Sequence, residues 1–197
     1  VETIRRTAGE SFGITIDPVF QWLGPNESLG LFRALEPLAH NSLLIEDPFP
    51  HDMPDFWRRV RERFAIPLAW HARSFDDLRA GLQADCADCY NLTADRGSIG
   101  EFMTQAHALE VLGLTFWQGS TLELGVGIAA RLHAAAAARG CAIPCDLASP
   151  LVREHMLVDW DWPFAEGALP IPDAPGLGVA LDLEALESYR REHAVFE

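Results

Sequence analysis

Two carboxylates, Asp17 and Glu46, each close a short apolar run: Ile14-Thr15-Ile16-Asp17 and Ser42-Leu43-Leu44-Ile45-Glu46. The second run continues into Asp47-Pro48-Phe49-Pro50. A proline ends regular pairing and biases the residue before it towards an extended conformation, so both acids are expected at strand ends. Two like charges brought together at such ends cannot both stay ionised cheaply unless a cation lies between them. Short oxygen-bearing side chains suit a hard ion such as Mg²⁺. The alternative at this stage is that each carboxylate caps the helix that follows it.

The elements that would position these acids alternate along the chain. Apolar runs of strand type are read at Ile14–Asp17, Ser42–Glu46, Ile66–His71, Cys89–Thr93, Leu114–Gln118 and Cys141–Cys145. Helical spacing is read over Glu27–Leu38, Pro54–Phe64, Ser74–Gln83, Ile99–Leu112 and the alanine-rich Thr121–Arg139. Strands alternating with helices of this length indicate βαβ units and a parallel sheet. The strand ends Asp17, Glu46, His71, Thr93 and Gln118 recur about 22 to 29 residues apart, the period of a (β/α) barrel, whose reactive residues project from strand C-termini. A doubly wound sheet is the other candidate, but no glycine-rich phosphate loop follows the first strand and Gly97-Ser98-Ile99-Gly100 is too short to serve. The expected fold is therefore α/β, a TIM-type barrel that is incomplete, with about six βα units in one domain over residues 1–197.

Composition narrows the function classes. The 197 residues carry a net charge of −14, which disfavours a phosphate backbone as partner. No lysine occurs, so all 15 basic residues are arginines, and lysine base or Schiff-base chemistry within the chain is excluded. No apolar run reaches a membrane span and no signal peptide opens the chain. The first residue is Val1 rather than Met, so the chain is expected to lie within a longer protein. Cys86, Cys89, Cys141 and Cys145 form C-x2-C and C-x3-C pairs, a spacing that paired zinc thiolates can use. The first pair runs into strand-like residues and the second lacks a knuckle glycine, which favours small buried thiols and a reducing cytoplasm.

The segments "ITIDP", "LLIEDPFP", "IPLAWH", "GSTLELGVGIAARLHAAAA" and "LPIPDAPGLGVALD" together resemble the C-terminal barrel of the enolase superfamily, in its mandelate racemase and muconate lactonizing enzyme branch. The resemblance covers nearly the whole chain and implies strands three to eight of the barrel, without the N-terminal capping domain. It implies that Asp17 and Glu46 are the first two ligands of a Mg²⁺ that stabilises an enediolate formed by removal of the proton next to a substrate carboxylate. At the third ligand position stands His71, a softer donor than Mg²⁺ prefers, so ligand, pocket hydrogen-bonder and base all stay open for it. Thr93 ends the family's sixth strand, with Asp95 two residues later, and is taken as a substrate contact. Gln118 stands where a seventh-strand histidine would align; it can donate a hydrogen bond but cannot take a proton. Glu123 resembles a glutamate found just after that strand, and both acid work at the mouth and helix N-terminal stabilisation stay open for it. His51, on the loop after the acid-proline turn, is a further substrate contact, whereas His133 is read as a packed residue.

The expected activity is metal-assisted α-proton abstraction from a small carboxylate, of acid-sugar dehydratase or racemase type. That makes the full-length parent a lyase or isomerase. The competing expectation is a catalytically degraded homologue that binds small acids or serves a structural role. No nucleic acid or membrane partner is expected; homo-oligomerisation is, because an open barrel exposes apolar edges.

Overall fold

The computed structural model describes residues 1–22, 25–39, 43–93 and 98–191. Asp95, Ser42 and Gly97 lie outside them. A short helix α1 (Glu2–Ala8) precedes β1 (Ile14–Ile16), α2 (Pro25–Leu35), β2 (Leu43–Glu46), α3 (Pro54–Arg63), β3 (Leu68–Ala72), α4 (Phe75–Ala84), β4 (Cys89–Leu92), α5 (Ile99–Leu112), β5 (Thr115–Gln118) and α6 (Gly125–Ala137). The tail adds α7 (Ser149–Val152), a β6–β7 hairpin (Val158–Asp159 with Ala180–Leu181) and α8 (Leu183–Tyr189). Strands β1 to β5 pair in chain order, all parallel, and curl into half of a TIM-type barrel.

Strand side chains alternate between two faces, and the sequence alternates with them. Ile14, Ile45, Trp70, Tyr90 and Phe116 face the helices and join Phe32, Trp57, Leu78, Phe102 and Leu109 in the main core. Residues of the opposite parity face the concave side, where Ala69, Cys89 and Trp117 pack with Leu44, Cys141, Ile143 and Cys145. Parity therefore sends Glu46, His71, Asn91 and Thr93 to the concave face and Gln118 to the helix side.

Two sequence-based expectations need correction. The sixth strand, Cys141–Cys145, reduces to one bridge between Phe116 and Cys141 with a bond from the Ala142 N–H to the Phe116 carbonyl. Pro144 has no N–H to extend that ladder. The alanine-rich helix begins at Gly125 rather than Thr121. Leu122 adopts a φ of 60°, and the Thr121 N–H donates to the Glu123 carboxylate rather than entering a helix. Gly125 is required because a Cβ there would stand 2.3 Å from Val158 Cγ2 and 2.7 Å from the Met156 carbonyl oxygen. Helix α4 begins as read, with Ser74 accepting from the Asp77 N–H.

Candidate active site

At the C-terminal rim of the sheet, Glu46 ends β2 as a buried carboxylate, 6% exposed. Asn91, on β4, donates its Nδ2–H to Glu46 Oε1 at 2.7 Å. The Thr93 hydroxyl donates to Asn91 Oδ1 at 3.3 Å. That hydroxyl has one hydrogen, so at its 2.5 Å contact with His71 Nε2 it accepts. With Nε2–H donating to Thr93, the other ring nitrogen, Nδ1, faces Glu46 Oε1 at 3.5 Å. Gly119 makes room for this group: a Cβ there would stand 2.1 Å from Asn91 Oδ1 and 2.5 Å from Thr93 Oγ1.

Negative charge is concentrated here. Burial pushes the Glu46 carboxyl up to about 8, against the pull of the Asn91 hydrogen bond, and repulsion from Asp17, Asp47 and Asp146 adds to it. Asp17 sits just beyond β1 and is also raised, by burial and by Asp47, although the Val19 N–H at 2.8 Å, His71 and Arg73 oppose the shift. Asp146 is raised to about 6, first by burial and then by Glu123 and Asp17, with Arg131 easing it. It keeps much of its surface in solvent, so its desolvation is the weaker case.

Asp47 has φ 40°, a left-handed conformation that aspartate tolerates better than most residues. It is fixed from three sides: its N–H donates to the Ala69 carbonyl, and its Oδ1 accepts from the His71 N–H at 3.0 Å and from His51 Nε2 at 2.9 Å. His51 also reaches Asp77 Oδ1 through Nδ1 at 3.2 Å and stacks on Trp70 with centroids 3.6 Å apart. Burial opposes charge on His51, but the two carboxylates outweigh it and raise the imidazole to about 8. His51 therefore ties the loop after β2 to the start of α4.

Gln118 lies on the helix side of β5, and Glu123 lies in the loop between β5 and α6. Gln118 Nε2 donates to the carbonyls of Leu92 at 2.8 Å and Gly119 at 3.0 Å. Glu123 accepts from Ser120, from Thr121 and from Arg131 at 2.5 Å. Burial would raise its carboxyl, but the Thr121 bonds and Arg131 lower it overall. Arg131 in turn donates to the carbonyls of Thr93 and Gly119. These groups border a cavity of about 270 Å³ between the sheet edge and helices α5 and α6, with Ser98, Phe102 and Ala134 on its far wall. His133 is half-buried and bonds the Leu177 carbonyl, tying the tail to α6.

Of the residues singled out from sequence, then, the fold joins Glu46, His71 and Thr93 directly and sets Asp17 within electrostatic reach. It sets Gln118 on the helix side of β5, pairs Glu123 with Arg131 within electrostatic reach of Asp146, and links His51 to the group through Asp47, whose Oδ1 also accepts from the His71 N–H. Asn91, Asp146 and Arg131 were not singled out, and Asp47 was read only as the acid adjacent to Glu46 in the proline turn. Asn91 was findable from its place two residues before Thr93 on one strand face. Asp146 was findable as an acid closing an apolar run, the same pattern as Asp17 and Glu46.

The donor set bears on whether a divalent cation fits. Two carboxylates of raised proton affinity favour one, since it would remove their mutual repulsion. Ligands in adjacent positions around Mg²⁺ lie about 3 Å apart, close to the 3.5 Å between Glu46 Oε1 and His71 Nδ1. No group of three or more His, Cys, Asp or Glu side chains is drawn together tightly enough to hold a metal among the described residues. Asp17, Glu46 and His71 fit such an ion as a loose, not a closed, set.

Residues 1–186 match the family described as "Enolase C-terminal domain-like". The chain is 27% identical over 195 residues to muconate cycloisomerase 1 of Pseudomonas putida, covering 97% of this chain and 51% of that protein. It is 28% identical over 158 residues to o-succinylbenzoate synthase of Geobacillus stearothermophilus, covering 78% and 42%. Among solved structures, the muconate lactonizing enzyme of Pseudomonas putida superposes with a TM-score of 0.84 at 26% identity over 96% of this chain and 53% of that one. The chain spans about half the length of the curated relatives it matches. With strand-end acids and a half-barrel in the same order, the chain belongs to the Enolase C-terminal domain-like family, in the mandelate racemase and muconate lactonizing enzyme branch of the enolase superfamily.

Proposed function

We propose that the protein containing this chain removes the proton next to the carboxylate of a small acid, with a Mg²⁺ held by Asp17, Glu46 and His71. When bound, the ion would supply positive charge where the substrate carboxylate gains negative charge as the proton leaves. The observation that carries this reading is Glu46: a buried strand-end carboxylate raised to about 8 beside a second raised acid, Asp17. An acid so placed is costly to the fold unless a cation compensates it. Asn91 orients Glu46, and Thr93 orients His71 through Nε2, with Nδ1 turned towards Glu46. No lysine is present and His71 is committed to this network, so the proton acceptor is assigned to the remainder of the whole protein.

An isomerase is the first choice of reaction, because the muconate cycloisomerase relative and the lactonizing enzyme carry names of that kind. Dehydration of acid sugars is the second. A binding module that has lost turnover is favoured by one specific observation. His71 and Thr93, where the resemblance expects an acid ligand and a base-bearing strand end, bond each other at 2.5 Å.

The test is calorimetric Mg²⁺ titration of the intact protein and of an Asp17→Ala, Glu46→Ala double variant, followed by α-proton exchange of candidate acids in D₂O by NMR. Saturable binding lost in the variant, with exchange in the wild type, supports the enzyme. Binding of ion and acid without exchange supports the binding module. No Mg²⁺ uptake by the folded wild type would refute the metal-assisted reading.

A further inference from the structure

A pair of cysteines lies outside the hydrogen bonds of the carboxylate network. Cys141 and Cys145 lie at the open edge of the concave face, with their sulfurs 3.5 Å apart. Both are half-buried, whereas Cys86 and Cys89 are buried. The segment between them runs beside β5, anchored by the bond from the Ala142 N–H to the Phe116 carbonyl. The Gln118 N–H lies close enough to favour a negative sulfur at both residues.

We propose that Cys141 and Cys145 form a redox-active dithiol that closes to an intramolecular disulfide when it meets a small-molecule disulfide such as oxidised glutathione. The Cys141 thiolate attacks the S–S bond of the oxidant, forming a mixed disulfide and releasing one glutathione thiolate. Cys145 loses its proton to solvent and its sulfur attacks Cys141 Sγ, releasing the second glutathione. Two protein thiols are oxidised by two electrons and one disulfide is reduced to two thiols, so the exchange balances.

The roles follow from the surroundings. The hydrogen bond from Cys145 lowers the Cys141 thiol below its ordinary value, burial opposes this, and the Gln118 N–H adds to the lowering. Cys145, as donor of that bond, is raised. Burial pushes Cys86 up to about 11 and Cys89 up to about 12, which leaves them poor nucleophiles. The pair is also close enough to need little rearrangement: the sulfurs must approach from 3.5 Å to the ~2 Å of a covalent bond. Asp146 follows Cys145 in the chain and adds to the charge felt by Glu46, so closure would also shift an acid at the rim.

The experiment exposes the intact protein to oxidised glutathione, blocks residual thiols and maps disulfides by non-reducing peptide mass spectrometry. The expected product is one peptide cross-linked between Cys141 and Cys145, with Cys86 and Cys89 still alkylatable. In Cys145→Ser, Cys141 should accumulate as the glutathione adduct; in Cys141→Ser, Cys145 should stay reduced. Iodoacetamide at neutral pH should modify Cys141 at least about tenfold faster than Cys89. Circular dichroism checks that each variant is folded. Oxidation first at Cys86 or Cys89, a Cys145 adduct in Cys141→Ser, or a Cys141 adduct that persists in the wild type would overturn the proposal. So would four thiols left reduced under conditions that oxidise free dithiothreitol.

Discussion

Replacing Glu46 by glutamine should stabilise the metal-free protein, and by an amount that depends on pH. Glutamine keeps the shape of the side chain and an oxygen to accept from Asn91 Nδ2, while removing the titration. The ordinary value for this carboxyl is 4.5 and the folded value is about 8. The folded state therefore binds more protons than the unfolded state in that interval, and stability falls as the pH rises through it. The whole interval corresponds to an upper bound of about 5 kcal/mol. Water reaching the open concave face relaxes the desolvation, and an effective difference of about 2–4 kcal/mol is expected. Repulsion between Asp17 and Glu46 is removed by the same substitution and is part of this difference. The assay is urea unfolding at pH 5, 7 and 8.5 with a chelator present. Wild type and Glu46→Gln should unfold at similar urea at pH 5, with the variant gaining an advantage that is largest at pH 8.5. Saturating Mg²⁺ should then restore the wild type and leave the variant unchanged. A difference between the two proteins that does not vary with pH would refute the reasoning, since Glu46 would then ionise normally.

His51 titrates in the opposite sense of charge but the same sense of stability. Its imidazole is raised from 6.5 to about 8 by Asp47 and Asp77 against the cost of burial, so its contribution is complete below pH 6.5 and lost as the pH rises through 8. His51→Gln should therefore cost about 1–2 kcal/mol at pH 6 and little at pH 9, measured by urea unfolding; an equal cost at both would mean that the ring is never charged. Gly119→Ala would place a Cβ 2.1 Å from Asn91 Oδ1, costing about 1–3 kcal/mol of overpacking and displacing Asn91 from Glu46. Its Mg²⁺ affinity should fall at least about tenfold by calorimetry, and undiminished affinity would show that Asn91 does not orient the carboxylate.

What could be read in advance was set by local rules. Apolar runs ending in acid and proline gave strands β1 and β2 with Asp17 and Glu46 at their ends, and the alternation with helices led to a barrel. The face assignments were less accessible. Gln118 and Trp117 are neighbours on β5, yet a single step in parity puts one on the helix side and the other among Cys89 and Ala69. Strand boundaries read to within a residue or two do not fix that parity. Glu123 looked like a rim residue because it follows a strand end; its pairing with Arg131, eight positions on along a helix not yet placed, could not be seen. The Cys141–Cys145 run has strand-like composition, but pairing needs a donor that Pro144 lacks. The tail hairpin has two residues in each strand, too few to show a period, and α8 buries none of its residues, so neither carries a core pattern to read.

The pairing order β1-β2-β3-β4-β5 also bears on how the chain acquires its structure. Every strand hydrogen-bonds to the one synthesised just before it, so each closure spans a single βα unit and its entropic cost stays nearly constant along the sheet. The sheet can then assemble directionally as the polypeptide leaves the ribosome. The acid group matures last within that sequence: Glu46 emerges early, but Asn91, which holds it, and Gly119, which makes room for both, arrive only with β4 and the end of β5. In a chain assembled in that order, Glu46 would stay hydrated until the fourth and fifth strands docked, and the cost of burying the carboxylate would fall on the last steps of the sheet.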